Sequence, residues 1–391
     1  MRAFFMRPRG HNRPMTSLFI GLMSGTSLDG VDGVLVDFTP DASAPMRVLA
    51  HTHRPFVPAL ADELLALNSP GPNELHRAAL AGNALAEVYA GVVGELLALA
   101  GVAATSVRAI GAHGQTVRHR PQEFDGVGYT LQVNSPALLA ERSGIDVVAD
   151  FRSRAVAAGG QGAPLVPAFH RALFGRPNEA LAVLNIGGFS NLTVLGADGS
   201  TLGFDCGPGN ALMDHWCRTH TGKPYDAAGA WAASGRVIKP LLAALRAEPY
   251  FALPAPKSTG RDLFNPAWLD RRLATLPGPI TAERARDVQA TLAELTAQVC
   301  ADDVRAHAHA ANAVLVCGGG ALNAHLMGRL AACLPDTPVL ATDQRGLPAM
   351  QVEACAFAWL AQRYVARENG NLAAVTGARG GRVLGALYPA S

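Results

Sequence analysis

The chain has 391 residues, a length at which one hydrophobic core usually gives way to two. With 49% hydrophobic and 16% charged residues it is not a disordered chain, and its net charge of +2 gives no clustered basic face for a nucleic-acid backbone. Its six cysteines all lie in the second half without a C-x-x-C pair, so they read as buried thiols of a cytoplasmic protein, and its twelve histidines lack zinc-site spacing.

Residues 1–16 carry Arg2, Arg7, Arg9 and Arg13 without an adjacent apolar stretch and small-residue cleavage site. They read as a disordered extension rather than a signal peptide, and Met15 is an alternative start. No apolar run approaches the roughly 18 residues of a membrane span, so no membrane partner is expected.

The run 17–22 suits a buried strand, and 31–38, apolar and β-branched, a second. The turn formers Met23-Ser-Gly-Thr-Ser-Leu-Asp-Gly30 join them into a hairpin with a polar tip. Glycine permits the backbone conformations in which successive N–H groups cradle an anion. Thr26 and Ser27 add hydroxyl donors, and Asp29 and Asp32 are placed to hold Mg²⁺ through water. The same residues also make an ordinary hairpin with a serine–threonine turn, and composition does not decide between the two.

Helices are expected over 59–67 and 74–99. Strands at 107–110 and 146–149 lead into Gly111-Ala-His-Gly-Gln-Thr116 and Asp150-Phe-Arg152. His113, Gln115, Arg152, Arg154 and Asn185 all fall at or just past strand ends, where they can hydrogen-bond a sugar or its carboxylate. The opening pattern then recurs: a strand at 182–186, a polar turn at 187–191 and a returning strand at 192–195. The two turns lie 162 residues apart, which suggests two similar halves.

The segment Thr201-Leu-Gly-Phe-Asp-Cys-Gly-Pro-Gly-Asn-Ala211 reads as a short strand ending at Asp205, then a forced turn and a helix. A lone carboxylate at a strand end is well placed as a general base, although such a residue is more often a helix N-cap or turn aspartate. Val288, Leu292, Leu295 and Val299 mark one apolar helical face. A strand at 313–317 runs into Gly318-Gly-Gly320 and a helix, suited to a nucleotide over a helix N-terminus and, taken singly, equally to a helix start that needs close packing. A final helix is expected over 353–365, and His307 and His309 read as a solvated helix end.

Strands alternating with helices argue for an α/β architecture, with functional loops at the carboxyl ends of the strands. Other phosphate motifs fail: Lys257-Ser-Thr lacks the preceding glycines of a P-loop, and Asn323 breaks the dinucleotide-binding glycine spacing. A nucleophile elbow is absent. A nucleotide site built from hairpin turns remains, with Gly159-Gly160, Gly187-Gly188 and Gly318–Gly320 as candidate hinges.

Eight segments, in order, resemble the anhydro-N-acetylmuramic acid kinase family. They are Gly21-Leu-Met-Ser-Gly-Thr-Ser-Leu-Asp-Gly30, Ala112-His-Gly-Gln-Thr116, Ala158-Gly-Gly-Gln-Gly-Ala-Pro-Leu165 and Leu184-Asn-Ile-Gly-Gly188. Phe204-Asp-Cys-Gly-Pro-Gly-Asn210, Pro256-Lys-Ser-Thr-Gly-Arg261, Val316-Cys-Gly-Gly-Gly320 and Ala356-Phe-Ala-Trp-Leu360 complete the set.

The resemblance implies a two-domain ATPase fold of the actin, hexokinase and Hsp70 kind, built from duplicated ribonuclease H-like domains. Domain 1 would be 17–175 joined by about 350–391, and domain 2 would be 176–349. It implies ATP and Mg²⁺, and an amino-sugar substrate, 1,6-anhydro-N-acetylmuramic acid, converted to its 6-phosphate in peptidoglycan recycling, by a homodimer. Contacts to ATP would come from Gly25, Thr26, Ser27, Leu28, Asp29, Gly30, Val31 and Asp32, with Gly187, Gly188, Gly318, Gly319 and Gly320. Asp205 would be the catalytic base; Gln115, Arg154, Asn185 and Glu353 would meet the sugar.

One departure is visible. Where the family has Arg-Arg-Arg-Asp after Asp-Phe, this chain has Arg152-Ser-Arg-Ala155, which removes an ion pair and bears on affinity for the sugar's lactyl carboxylate. The rival readings are another sugar or carboxylate kinase of the same fold and a non-catalytic actin-like ATP-binding protein. A dinucleotide oxidoreductase is disfavoured by the failed glycine spacing.

Overall fold

The computed structural model describes residues 17–39, 45–274 and 276–390; the expected extension over 1–16, with Met15, lies outside them. In chain order the first strands are β1 (Leu18–Met23), β2 (Gly30–Asp37), β3 (Arg47–Pro55) and β4 (Val107–Ala112). A separate hairpin, β5 (Gln115–Pro121) and β6 (Gly128–Val133), precedes β7 (Val147–Ala149). Then come β8 (Leu181–Ile186), β9 (Phe189–Leu195), β10 (Thr201–Pro208), β11 (Val314–Cys317), β12 (Val339–Ala341) and β13 (Ala386–Tyr388).

Two large sheets result, with strand orders β13-β7-β4-β1-β2-β3 and β10-β9-β8-β11-β12. In each, a three-stranded antiparallel meander continues through its first strand into parallel neighbours: β1 pairs β4, and β8 pairs β11. Parallel neighbours need crossover helices, and the helices Glu74–Ala100 and Ala282–His307 supply them at equivalent points. The same plan is thus built twice, as expected for duplicated ribonuclease H-like domains.

Burial follows the apolar pattern. Leu85, Tyr89, Val92 and Leu96 of the first crossover helix pack under β2 and β3 with Ile20, Leu22 and Leu35. In the second crossover helix the expected face at Val288, Leu292, Leu295 and Val299 is buried, and so are Gln289, Thr291, Glu294 and Thr296. That helix is enclosed on more than one side.

The helix Val352–Val365 returns to the first sheet and lies on β1 and β4. Close contact is possible because the strands present glycines there. A Cβ at Gly21 would stand 1.9 Å from the Ala354 carbonyl oxygen, and one at Gly111 2.0 Å from that of Phe357. Finally β13 pairs antiparallel with β7, so the first sheet is completed by the last residues of the chain.

Three expectations change. The second hairpin turn is shorter than read, since strand structure resumes at Phe189. His307 is not simply solvated: its ring packs edge-on against Phe204 at 4.9 Å. And the helix Glu74–Ala100 is, by length and composition, apolar enough to cross a membrane, because scattered polar residues break every apolar run without lowering the mean hydropathy of an 18-residue window below 1.3. Its buried stripe faces the first sheet.

Candidate active site

A cavity of about 300 Å³ opens where the tips of the two duplicated hairpins meet. Ser24–Ser27 line one side, Gly187–Phe189 the other, and Asp205, Glu353 and residues 258–262 complete the walls.

The first tip is fastened from below. Ser24 Oγ donates to the Gly114 carbonyl at 3.0 Å and shares a 3.0 Å hydrogen bond with the Tyr89 hydroxyl. Gly114 N–H donates to that hydroxyl at 3.1 Å, and Gln115 Nε2 donates to the Gly25 carbonyl at 3.0 Å. Burial raises the Tyr89 phenol well above its ordinary value, so it stays neutral. With Ser24 held down, Thr26 and Ser27 are left exposed at the cleft.

The second tip is held by the turn after β10. Asn210 N–H donates to the Gly187 carbonyl at 2.8 Å, and Gly209 N–H to that of Gly188 at 3.0 Å. The tips face each other directly: a Cβ on Gly188 would lie 3.3 Å from Thr26 Oγ1. Gly318 backs this turn at φ +76°, where a Cβ would strike Asn185 Oδ1 at 2.5 Å. Gly318, Gly319 and Gly320 do not line the cavity; they border it behind Asn185 and Asn210.

Asp205 lies within β10 rather than at its end, at a register shift against β9 that lets the strand continue to Pro208. Its Oδ2 accepts from Ser258 Oγ and from the Thr259 N–H, both at 3.0 Å. Burial raises its acid to about 6, opposed by those two bonds and by Arg152.

Arg152 donates through Nε and Nη2 to His113 Nε2 at 3.2 and 3.0 Å, and through Nη1 to the Gly162 carbonyl at 2.9 Å. Burial, then the neighbouring guanidinium, lower His113 to about 3. The neutral ring therefore accepts at Nε2 and carries its proton on Nδ1, 3.3 Å from the Ser24 carbonyl. Burial also lowers Arg152 to about 10, still charged at neutral pH, with Glu353 and Asp205 as its counter-charges.

Glu353, at the start of the helix Val352–Val365, accepts from Asn185 Nδ2 at 3.2 Å. Burial and then repulsion from Asp32 raise it to about 7, with Arg152 opposing. Asp32 itself stands on β2 with His53 Nδ1 at 3.1 Å and His51 Nε2 at 3.5 Å from its Oδ1. Burial would raise Asp32, but the two histidines outweigh it and hold it low.

Four side chains of the cavity present buried polar atoms with no partner in the protein: Gln115 Oε1, Asn185 Oδ1, Asn191 Oδ1 and Thr259 Oγ1. Buried polar atoms are normally paired, and leaving one bare is costly. Three amide oxygens and one hydroxyl thus stand unpaired in the walls of the cleft.

The structure thus gathers Gly25, Thr26, Ser27, Gln115, Asn185, Gly187, Gly188, Asp205 and Glu353 around one cavity. Leu28, Asp29, Gly30, Val31 and Asp32 continue behind the first tip, with Val31 fully buried in the core. Arg154 is exposed on the short helix Ser153–Ala157, away from the cavity; Arg152 takes the inward place. Ala155, one of the departures from the family pattern, is fully buried. Sequence reasoning gave no site role to Asn191 or to the strap Ser258-Thr-Gly-Arg261, although the strap lies within the family-like segment Pro256–Arg261. Apart from that resemblance, its run of small polar residues after a proline fits any turn.

The family model for anhydro-N-acetylmuramic acid kinase matches residues 17–390. A relative from Variovorax paradoxus, "Anhydro-N-acetylmuramic acid kinase", is 65% identical over 378 residues, covering 95% of this chain and 99% of its own. Proteins of the same name from Albidiferax ferrireducens and Bordetella pertussis are 61% and 60% identical, covering 96% and 95% of this chain and 100% and 96% of their own. On the strength of this match along almost its whole described length, the chain belongs to the anhydro-N-acetylmuramic acid kinase family.

Proposed function

We propose that the chain uses ATP to phosphorylate 1,6-anhydro-N-acetylmuramic acid at O6 while water opens the anhydro ring at C1. The observation that carries this is the position of Asp205: its carboxylate faces the same cavity as the phosphate-type tip Gly25–Ser27, held by two donors that fix its orientation.

In the anhydro-sugar O6 is tied to C1, so there is no free 6-hydroxyl to phosphorylate. Asp205 takes a proton from a water that attacks C1. The C1–O6 bond breaks as O6 bonds to the γ-phosphorus, and the bond to ADP breaks in turn. Water activation by a carboxylate opposite the departing oxygen is the inverting-glycosidase half of the chemistry. No partner acid is needed, because the phosphoryl group captures the developing alkoxide. The products are N-acetylmuramic acid 6-phosphate and ADP, and the proton on Asp205 passes to solvent.

The remaining residues take supporting roles. Backbone N–H groups around Gly25 and Gly187–Gly188, with Thr26 and Ser27, meet the phosphates. Arg152, charged and half-buried, meets the sugar's carboxylate, and Gln115, Asn185 and Asn191 meet its hydroxyl and amide groups.

Mg²⁺ fits this site through its surplus of negative charge. Asp29 and Asp32 both raise the Glu353 acid, a repulsion that a divalent cation would relieve. Among the described residues no three-residue His/Cys/Asp/Glu group could hold a metal alone, so phosphate oxygens and water would complete the shell behind Asp29 and Asp32. Bound there, Mg²⁺ would offset charge on the transferring phosphoryl group.

A cytoplasmic setting is part of this reading, supported by six unpaired cysteines, five of them buried. The homodimer follows from the family resemblance.

A positioned base contributes about 10²–10⁴-fold, so Asp205→Asn should lower turnover by that order with ATP affinity nearly intact. Substantial turnover in that variant would sink the assignment. Product analysis in ¹⁸O-water should find label at C1 and phosphate at O6; unlabelled C1 would exclude ring opening by water.

A further inference from the structure

Beneath the floor of the cleft lies an ion pair that the chemistry above does not use. Lys257 Nζ is 3.3 Å from Asp303 Oδ1, and the two side chains are only 4% and 12% exposed. The ammonium lies 5.2 Å and 5.8 Å from the ring centroids of Tyr250 and Phe204, and 3.4 Å from the Phe251 carbonyl. Asp303 is carried by the crossover helix Ala282–His307, one of the most enclosed elements of the second half.

Such a pair is weak support for stability. Taking two charges out of water costs roughly what their attraction returns, and apolar replacements are commonly neutral or stabilising. Its connections point instead to geometry. The Lys257 carbonyl accepts from the Asp205 N–H at 2.9 Å, and the next two residues, Ser258 and Thr259, hold the Asp205 carboxylate at 3.0 Å each. Two residues further on, Arg261 donates to the Thr26 carbonyl at the phosphate-type tip, at 2.6 Å through Nη2. A strap of five residues thus touches the base and the tip opposite, and its single buried charged side chain is tied to the crossover helix.

We propose that Lys257 is a positioning residue for Asp205: locked by Asp303, it fixes the strap so that the Ser258 hydroxyl and the Thr259 N–H meet the carboxylate. The inference rests on the reading of Asp205 as the base.

Other groups around that carboxylate are accounted for. Arg152 faces it from the segment after β7, and Glu353 and His113 lie beyond Arg152. Tyr250 donates to the Asp205 carbonyl at 2.7 Å, and Cys206 follows Asp205 in β10. None of these is carried by the strap. The strap's two bonds favour the ionised carboxylate, so loosening them moves its titration upward.

The test compares Lys257→Met with Lys257→Met/Asp303→Leu, which removes both charges and leaves no lone buried ion. Both should lose about tenfold or more in kcat, with KM for ATP unchanged. In both, the acid limb of the kcat/KM profile should move up by about half a pH unit or more. The double variant should melt within a few degrees of the parent, and it decides the matter if the single variant does not fold. A folded double variant with parental kcat and acid limb overturns the proposal, as does lost activity with the limb unmoved, which marks a merely structural role. Asp205→Asn separates the two readings: turnover in that variant removes the base itself, whereas an inactive Asp205→Asn beside a fully active double variant removes only the role of Lys257.

Discussion

Asp205 must be ionised to take a proton, and burial works against that by holding its acid at about 6. Activity should therefore fall as pH drops through about 6, with kcat/KM losing roughly tenfold per unit below it. Arg152 lowers this acid, so Arg152→Gln should move the limb upward; a limb that stays in place would mean Arg152 does not act on the base. Glu353 gives the complementary prediction for stability. Its folded value of about 7 stands above the ordinary 4.5, so the folded state holds its proton more tightly than the unfolded one. Its contribution is fully present below about 4.5 and is lost as pH rises through about 7. Glu353→Gln keeps an acceptor for Asn185 and removes the half-buried charge, so it should raise Tm by about 2–4 °C at pH 8 and not at pH 4.5, by differential scanning calorimetry. The type of residue at 205 was legible because glycine and proline frame a lone carboxylate. Its partners were not: Ser258 and Thr259 lie 53 and 54 residues further on, and no local pattern links them to it.

The two hairpins were legible as elements because apolar runs flank clusters of turn formers. Neither hairpin encodes what stands opposite it, and the cleft exists because the tips converge. The backbone of Gly188 approaches Thr26 where a side chain would close the gap. Gly188→Val should raise KM for ATP by about tenfold or more while leaving the circular dichroism spectrum unchanged, since the position is at the tip and not in the core. An unchanged KM would place the phosphates elsewhere. The strands β3, β5 and β6 escaped the sequence reading for a physical reason. They keep one face toward solvent and carry histidine, arginine and glutamine, so their apolar content is too low to announce a strand. Arg152 and Arg154 show the same limit: two residues apart in one loop, only the backbone path decides which one turns inward.

Across the whole molecule, a few contacts bridge the cleft between the halves. Arg261 donates to the Thr26 carbonyl, Arg120 pairs with Asp262 at 3.0 Å, and Asn185 donates to Glu353. Exposed pairs such as Arg120–Asp262 contribute little individually, about 0–1 kcal/mol, so together these contacts bias the opening of the cleft without locking it. Small-angle scattering should give Arg120→Ala/Arg261→Ala a larger radius of gyration than the parent without ligand. A non-hydrolysable ATP analogue with sugar should contract both, and identical profiles would count against closure. The completion of the first sheet by β13 and the helix Val352–Val365 has a further consequence, during synthesis. The strands of the second sheet, 181–341, leave the ribosome whole, whereas the first sheet waits for residues 352–388 with its glycine-lined face on β1 and β4 uncovered. The half made first is therefore finished last, and Glu353 reaches the cleft only after the second sheet has been made, so a chain interrupted before it carries Asp205 without a working site around it.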